Sequence, residues 1–168
     1  EILGRLGMAT RADSVFVAAV SPDGEIPPVQ PVIWTAGPEQ TYPYHTDPLF
    51  YSRLLSGDTA LALSENRELT YHPGSYPARI RGMVREDDTS FLLLVPVFLN
   101  DKWWGALGIS SSSQGWICSD EEMHALRVAA GVIGSSRYRR YIEEFFQNPV
   151  EEALVGVFLL RDSNFLYV

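Results

Sequence analysis

The sequence predicts an α+β domain with a central antiparallel sheet flanked by helices. Three observations carry that prediction. Two long strand-like runs, 90–99 and 102–110, are separated only by Asn100-Asp101, a connection short enough for antiparallel neighbours and no others. Two further β-rich runs, 14–20 and 29–35, flank the turn Ser21-Pro22-Asp23-Gly24 and read as a second antiparallel pair. The segment after Ser119 carries a capping signature followed by a long amphipathic pattern, which makes it a helix.

Taken in order, Ile2, Leu3 and Leu6 stand at helical spacing, predicting a short first helix to about Arg11. Pro31 puts the start of the second strand at an edge or irregularity, and Ala36-Gly37-Pro38 closes it. The stretch from Glu39 to Pro48, polar and proline-bearing, reads as loop. Pro48 then opens a helix on which Leu49, Phe50, Arg53 and Leu54 share a face, with Gly57 as the residue that ends it. Thr59–Leu63 reads as a short third strand. Residues 64–90, broken by Asn66, Pro73-Gly74, Pro77 and Gly82, have no clear period; irregular stretches of that length are often functional, and this one is expected to form a lid. The runs 90–99 and 102–110 are apolar on both faces, so they belong in the middle of the sheet, covered on two sides. Ser119 as N-cap and Glu122 at N3 start the last helix, expected to reach about Phe146 and to stop at Pro149.

That last helix has two apolar stripes. Leu126, Ala129, Ala130 and Ile133 form one, while Tyr138, Tyr141, Ile142 and Phe145 form another rotated by about 120°. The first can cover the sheet, with Gly131 and Gly134 permitting close approach, and the second then faces something else. A parallel homodimer through the 120–147 helix is the simplest partner. Beyond it, Val155–Leu160 and Phe165–Val168 read as a β-hairpin around Arg161-Asp162-Ser163-Asn164, too small to bury itself alone.

Composition bounds the function. A chain of 168 residues buries about 70% of its unfolded surface, so it needs no staples. With 46% hydrophobic and 20% charged residues it is globular. Its net charge of −8 and lack of a basic run argue against nucleic acid as a ligand. A single cysteine, Cys118, excludes an internal disulfide, a cysteine-cluster metal site and a two-cysteine redox cycle in one chain, which points to a cytoplasmic location. No apolar run approaches a membrane span, so no membrane insertion is expected of this segment. The first residue is not Met and the last five are largely apolar, an expectation that the chain is cut from a longer cytoplasmic protein.

Ala12-Asp-Ser-Val-Phe-Val17, the strand with Trp34, Tyr51-Ser-Arg-Leu-Leu-Ser-Gly57, Leu93-Leu-Val-Pro-Val97, Trp103-Trp-Gly-Ala-Leu-Gly-Ile109, Trp116 and the acidic start of the last helix occur in an order that resembles a GAF domain of bacterial sensor histidine kinases and cyclic-di-GMP enzymes. The resemblance spans 1–147. Residues 148–168 are read as a linker and the truncated start of a PAS domain, whose two opening strands the tail resembles. The resemblance implies about six antiparallel strands, the first and last helices on one face, and a small-molecule pocket on the other face, roofed by the connection between the third and fourth strands. Residues 64–90 fall at that roof. They depart from the pattern of this subtype by carrying Tyr71-His72-Pro73-Gly74-Ser75-Tyr76-Pro77 where a short acidic helix is common.

The candidate ligand-binding residues follow from that placement: Tyr71, His72, Tyr76 and Arg79 in the roof, with Arg81 beside them, and Trp34 and Tyr51 as an aromatic floor. An arginine there suits a carboxylate or phosphate, whose two oxygens its planar fork can bind together. The competing reading makes Trp34 and Tyr51 core and turns the arginines to water. Cys118 lies outside the segment where bilin-binding relatives carry their cysteine, which argues against a covalent bilin; the cofactor, if there is one, is not specified by the sequence. His45, His72 and His124 are not at metal-ligand spacing, and no nucleophile, phosphate-loop, zinc-protease or dinucleotide motif occurs, so no catalytic or metal residue is assigned. The resulting expectation is a non-enzymatic sensory domain. It would bind a small molecule and pass the signal through its dimeric last helix to an output domain in the same chain, a histidine kinase or a GGDEF cyclase. The alternative is a ligand-free structural dimerisation and relay domain.

Overall fold

The structure, a computed structural model, describes residues 1–20, 31–37, 48–72, 74–83, 91–113, 115–152, 158–161 and 164–167. The elements are α1 (Ile2–Thr10), β1 (Ser14–Ala19), β2 (Val32–Thr35), α2 (Pro48–Leu54), α3 (Gly57–Ser64), β3 (Leu69–Tyr71), α4 (Ala78–Arg81), β4 (Phe91–Leu99), β5 (Lys102–Ser111), α5 (Asp120–Glu152), β6 (Phe158–Arg161) and β7 (Asn164–Tyr167).

Strands β1 to β5 form one antiparallel sheet in the order β2-β1-β5-β4-β3, so the two doubly apolar strands lie inside it, β4 between β5 and β3 and β5 between β1 and β4. Among the described residues the sheet has five strands, against the about six expected. Its two faces are separately packed. Leu3 of α1 and Leu126, Ala129 and Ala130 of α5 join Val15, Val17, Leu93, Val95, Val97, Leu107 and Ile109 on one side. On the other, Phe50, Tyr51 and Leu54 of α2, Leu63 of α3 and Ile80 of α4 cover Phe16, Ala18, Leu92, Leu94 and Ala106. Period-2 alternation along β1 and β4 is what divides the two cores.

Local chemistry explains where the expectations held. Glu122 donates its amide to Ser119 Oγ (3.2 Å) and its carboxylate accepts from the Ser119 amide (2.8 Å), the reciprocal pair expected at the start of α5. Replacing Ser119 by alanine is therefore expected to cost about 1 kcal/mol, readable as a lowered urea midpoint with unchanged slope. The β4–β5 turn places Asn100 at φ 56°, a left-handed position that asparagine tolerates well.

Four expectations are corrected. Thr59–Leu63 is not a strand but the body of α3; Thr59, Ala62 and Leu63, at i, i+3 and i+4, are its buried face, and Ala-Leu-Ala-Leu favours helix. Gly57 does not end the preceding helix; it opens α3 at φ 56°, where a side chain would be strained. The irregular 64–90 stretch contains β3 and α4, both too short to show a period in sequence. Helix α5 runs through Pro149 to Glu152, although proline lacks the amide donor and crowds the preceding turn. The second strand is described over Val32–Thr35, and its expected start at Val29 lies outside the described residues. The turn 21–24, most of the 39–48 loop, and Val84 to Ser90 lie outside the described residues. The tail forms an antiparallel pair, Phe158–Arg161 with Asn164–Tyr167.

Candidate functional site

The fold sorts the six candidate residues onto the two faces of the sheet. Tyr51, Tyr71, Tyr76 and Arg79 come together on the face covered by α2, α3 and α4. Trp34 and His72 do not join them. Val15 pairs with Trp34 across β1–β2, so the indole faces the α1–α5 layer, where it lies on the first helix. A Cβ at Gly7 would overlap that ring, and one at Gly4 would stand 3.1 Å from its Nε1, so these two glycines make the seat for Trp34. His72 follows Tyr71 in an extended chain, and alternation turns it the other way; its exposed imidazole is 6.0 Å from the Phe91 ring. The floor of Trp34 with Tyr51 is thus corrected, because these residues are on opposite sides of the sheet.

The three tyrosines are packed rather than displayed. Tyr51 and Tyr76 are buried, and Tyr71 is half-buried. Tyr51 meets the edges of Phe16 (5.0 Å between centroids) and Phe50 (5.1 Å), while Tyr71 and Tyr76 lie 6.1 Å apart. Arg79, half-buried on α4, donates from Nε to the Arg53 carbonyl (2.6 Å) and from Nη2 to the Ser56 carbonyl (2.6 Å) and to Thr59 Oγ1. Thr59 Oγ1 in turn shares a 2.8 Å hydrogen bond with the Tyr71 hydroxyl. The guanidinium therefore ties the α2–α3 junction to α4, and through Thr59 to β3. These partners are neutral oxygens, and three of its five N–H donors are committed to protein acceptors before any anion arrives. Arg81, exposed, donates to the Tyr76 carbonyl at 3.2 Å.

Thr59 is the residue of this network that sequence reasoning missed. Read as part of a strand it had no partner. Read at helical spacing with Ala62 and Leu63 it falls on the buried face, and that spacing was the available signal.

On the other face, α5 is docked by its first stripe. Gly134 is buried against β4, and a Cβ there would overlap the Phe98 carbonyl oxygen, whereas Gly131 has nothing within 4 Å and faces open space. Only one of the two glycines thus serves close approach within the chain. Glu68 accepts from Arg127 Nε at 2.5 Å, which holds its carboxyl below the usual range and links α5 to the start of β3. Such a depressed pKa contributes stability above the ordinary carboxylate range that is lost as pH falls through the lowered value. Trp116 donates its indole N–H to the Thr10 carbonyl (2.8 Å) and packs 4.1 Å from Phe91, fastening the segment before α5 to α1.

Cys118 stands just before α5. Burial first, then the neighbouring Glu122 carboxylate, push its thiol up to about 11. It is expected to alkylate with iodoacetamide at neutral pH about a hundredfold more slowly than an ordinary exposed cysteine; a rate matching free cysteine contradicts this environment. No group of three or more His, Cys, Asp or Glu among the described residues could hold a metal ion. None of the described helices is long and apolar enough to cross a membrane.

The sequence pattern of the GAF domain matches residues 1–136. The chain is 29% identical over 150 residues to the methanogenesis regulatory histidine kinase FilI of Methanothrix harundinacea (strain 6Ac), a match that covers 83% of this chain and 16% of that protein. It therefore spans about one sixth of that relative's length. Among solved structures, the photoproduct state of GAF3 from Slr1393 of Synechocystis sp. PCC6803 superposes with a TM-score of 0.63 at 17% identity, covering 86% of this chain and 94% of that one. A domain described as that of a two-component sensor histidine kinase protein from Sinorhizobium meliloti 1021 gives 0.58 at 14% identity, covering 86% and 91%. At these identities the two structures speak to the fold, which they share with this chain. The match over 1–136, on a five-stranded antiparallel sheet with its first and last helices on one face, means that the chain belongs to the GAF domain family.

Proposed function

We propose that this GAF domain is a non-enzymatic sensory and relay module of a cytoplasmic signalling protein, with α5 as its output. The observation that carries the reading is the division of α5. Leu126, Ala129, Ala130 and Gly134 are buried on the sheet, while Val128, Val132, Tyr138 and Tyr141 are 54%, 48%, 37% and 57% exposed on a helix that continues to Glu152. Exposed apolar residues along a long helix favour packing against a second helix. A second copy in parallel is the partner this reading assigns, with a downstream output domain, a kinase or a GGDEF cyclase, in the parent chain. The tail hairpin is read as the opening of a PAS domain. The kinase relative supports an output of that kind.

In the leading form of this reading a small molecule binds on the α2–α4 face beside Tyr51, Tyr71 and Tyr76, and shifts the helices by binding one arrangement better than another. One observation favours the second form, a relay without ligand: the Arg79 fork is already occupied by Arg53 and Ser56 carbonyls and by Thr59. Native mass spectrometry of the protein purified from cells, followed by a denaturing run, separates the two. A mass released on denaturation supports the ligand form and gives its class. A bare mass after purification, with no shift on titration of metabolite extracts, overturns it in favour of the relay.

A further inference from the structure

Strand β5 breaks its own alternation beside α5. Leu107 and Ile109 face the α1–α5 layer, so a regular strand would put Trp103 on that face and Trp104 on the opposite one. The register slips between Val97 and Phe98: Val97 stands opposite Gly105 and Phe98 opposite Trp103, leaving Trp104 as an extra residue. A bulge of this kind re-aims the side chains beyond it. Trp104 now packs with the α1–α5 layer, its ring centroid 5.7 Å from the Arg137 guanidinium carbon, while Trp103 packs with the α2–α4 cluster. Both are held: the Trp104 carbonyl accepts from the Val20 amide at 2.7 Å, and Trp103 Nε1 donates to the Gly105 carbonyl at 2.8 Å. The carbonyl of Phe98, the residue opposite Trp103, is the atom against which Gly134 sits. That contact is helix backbone on strand backbone, with no side chain between them to absorb a displacement.

We propose that this bulged tip is the coupling element of the domain. Repacking around Trp103 on the α2–α4 face moves Phe98 and Trp104, and thereby changes the seating of α5 at Gly134 and Arg137. Trp103 acts here as a positioning residue. The inference rests on the reading of α5 as the output helix, but its test does not require a dimer.

The test is hydrogen exchange by mass spectrometry on the 168-residue chain, comparing Trp103→Ala, Trp103→Phe and Trp104→Ala, with a peptide over 14–19 as the reference for global loosening. Trp103→Ala is expected to speed exchange over 132–142 by about threefold or more relative to the reference, as Trp104→Ala does, with Trp103→Phe close to the parent. Acceleration confined to α2, α3 and α4, with 132–142 unchanged, overturns the proposal. Should Trp103→Ala fail to fold, Arg137→Gln reads the same coupling in reverse: faster exchange over 97–104 supports it, and unchanged exchange there overturns it. Sedimentation of the same samples reports separately on the dimer, so coupled exchange in a monomer would keep this inference and remove the dimeric output.

Discussion

Replacing Gly134 by alanine is expected to lower the stability of the domain by about 2–3 kcal/mol, while the same change at Gly131 raises it by up to about 1 kcal/mol. Both glycines are interior to α5, where alanine is the better helix former, so propensity alone predicts a gain at both. The neighbours decide otherwise. A Cβ at 134 runs into the Phe98 carbonyl, a backbone atom that cannot step aside without moving β4, whereas a Cβ at 131 meets nothing within 4 Å. In a chain of this size the loss corresponds to a fall in Tm of roughly 4–12 °C, easily seen by calorimetry. Equal effects at the two positions would mean that α5 is not seated on the sheet through Gly134. The Gly131 variant has a second use: if a partner helix approaches there, the monomer gains stability while the dimer weakens.

The second large effect is at Arg79. Its removal to alanine is expected to cost about 2 kcal/mol, because the Arg53 and Ser56 carbonyls and the Thr59 hydroxyl lose a shared charged donor. Partial exposure keeps the value well below that of a fully buried cation. Lysine, a single flexible ammonium, cannot span three acceptors in a plane and should recover less than half of the loss. A residue that served mainly to receive a ligand would behave in the opposite way. The protein alone would keep its denaturation midpoint, and a ligand retained from cells would be lost. The midpoint of urea unfolding therefore distinguishes a brace from a receptor at this position.

Where the sequence was informative, a local rule and the tertiary packing agreed. Ser119 and Glu122 announced the start of α5 because a capping box satisfies orphan amides wherever the chain is placed. The 91–99 and 102–111 strands were legible because strands covered on both sides are continuously apolar. Thr59 to Leu63 misled because five apolar and small residues fit either period, and the choice was made by the packing of Thr59, Ala62 and Leu63 on one helix face. Within the candidate site, Tyr71 at the end of β3 and Tyr76 just before α4 meet on one face, although the strand expected to precede them proved to be α3. Trp34 and His72 were misplaced because which face a residue takes depends on register, and neither the four-residue β2 nor the three-residue β3 is long enough to fix register from its own pattern. The bulge at Trp104 left no trace in the sequence, since both residues it exchanges are tryptophan.

The proposed output requires α5 to present a dimer seam through its exposed apolar residues. Sedimentation velocity on the 168-residue chain, beside a Val128→Glu, Val132→Glu double variant, tests it most directly. Both valines are exposed within the chain, so the double variant should fold as the parent does and differ only in association. A concentration-dependent dimer that the two glutamates reduce to monomer is the predicted result. A parent chain that stays monomeric at the highest concentrations reached, or a dimer indifferent to both glutamates, would contradict the account.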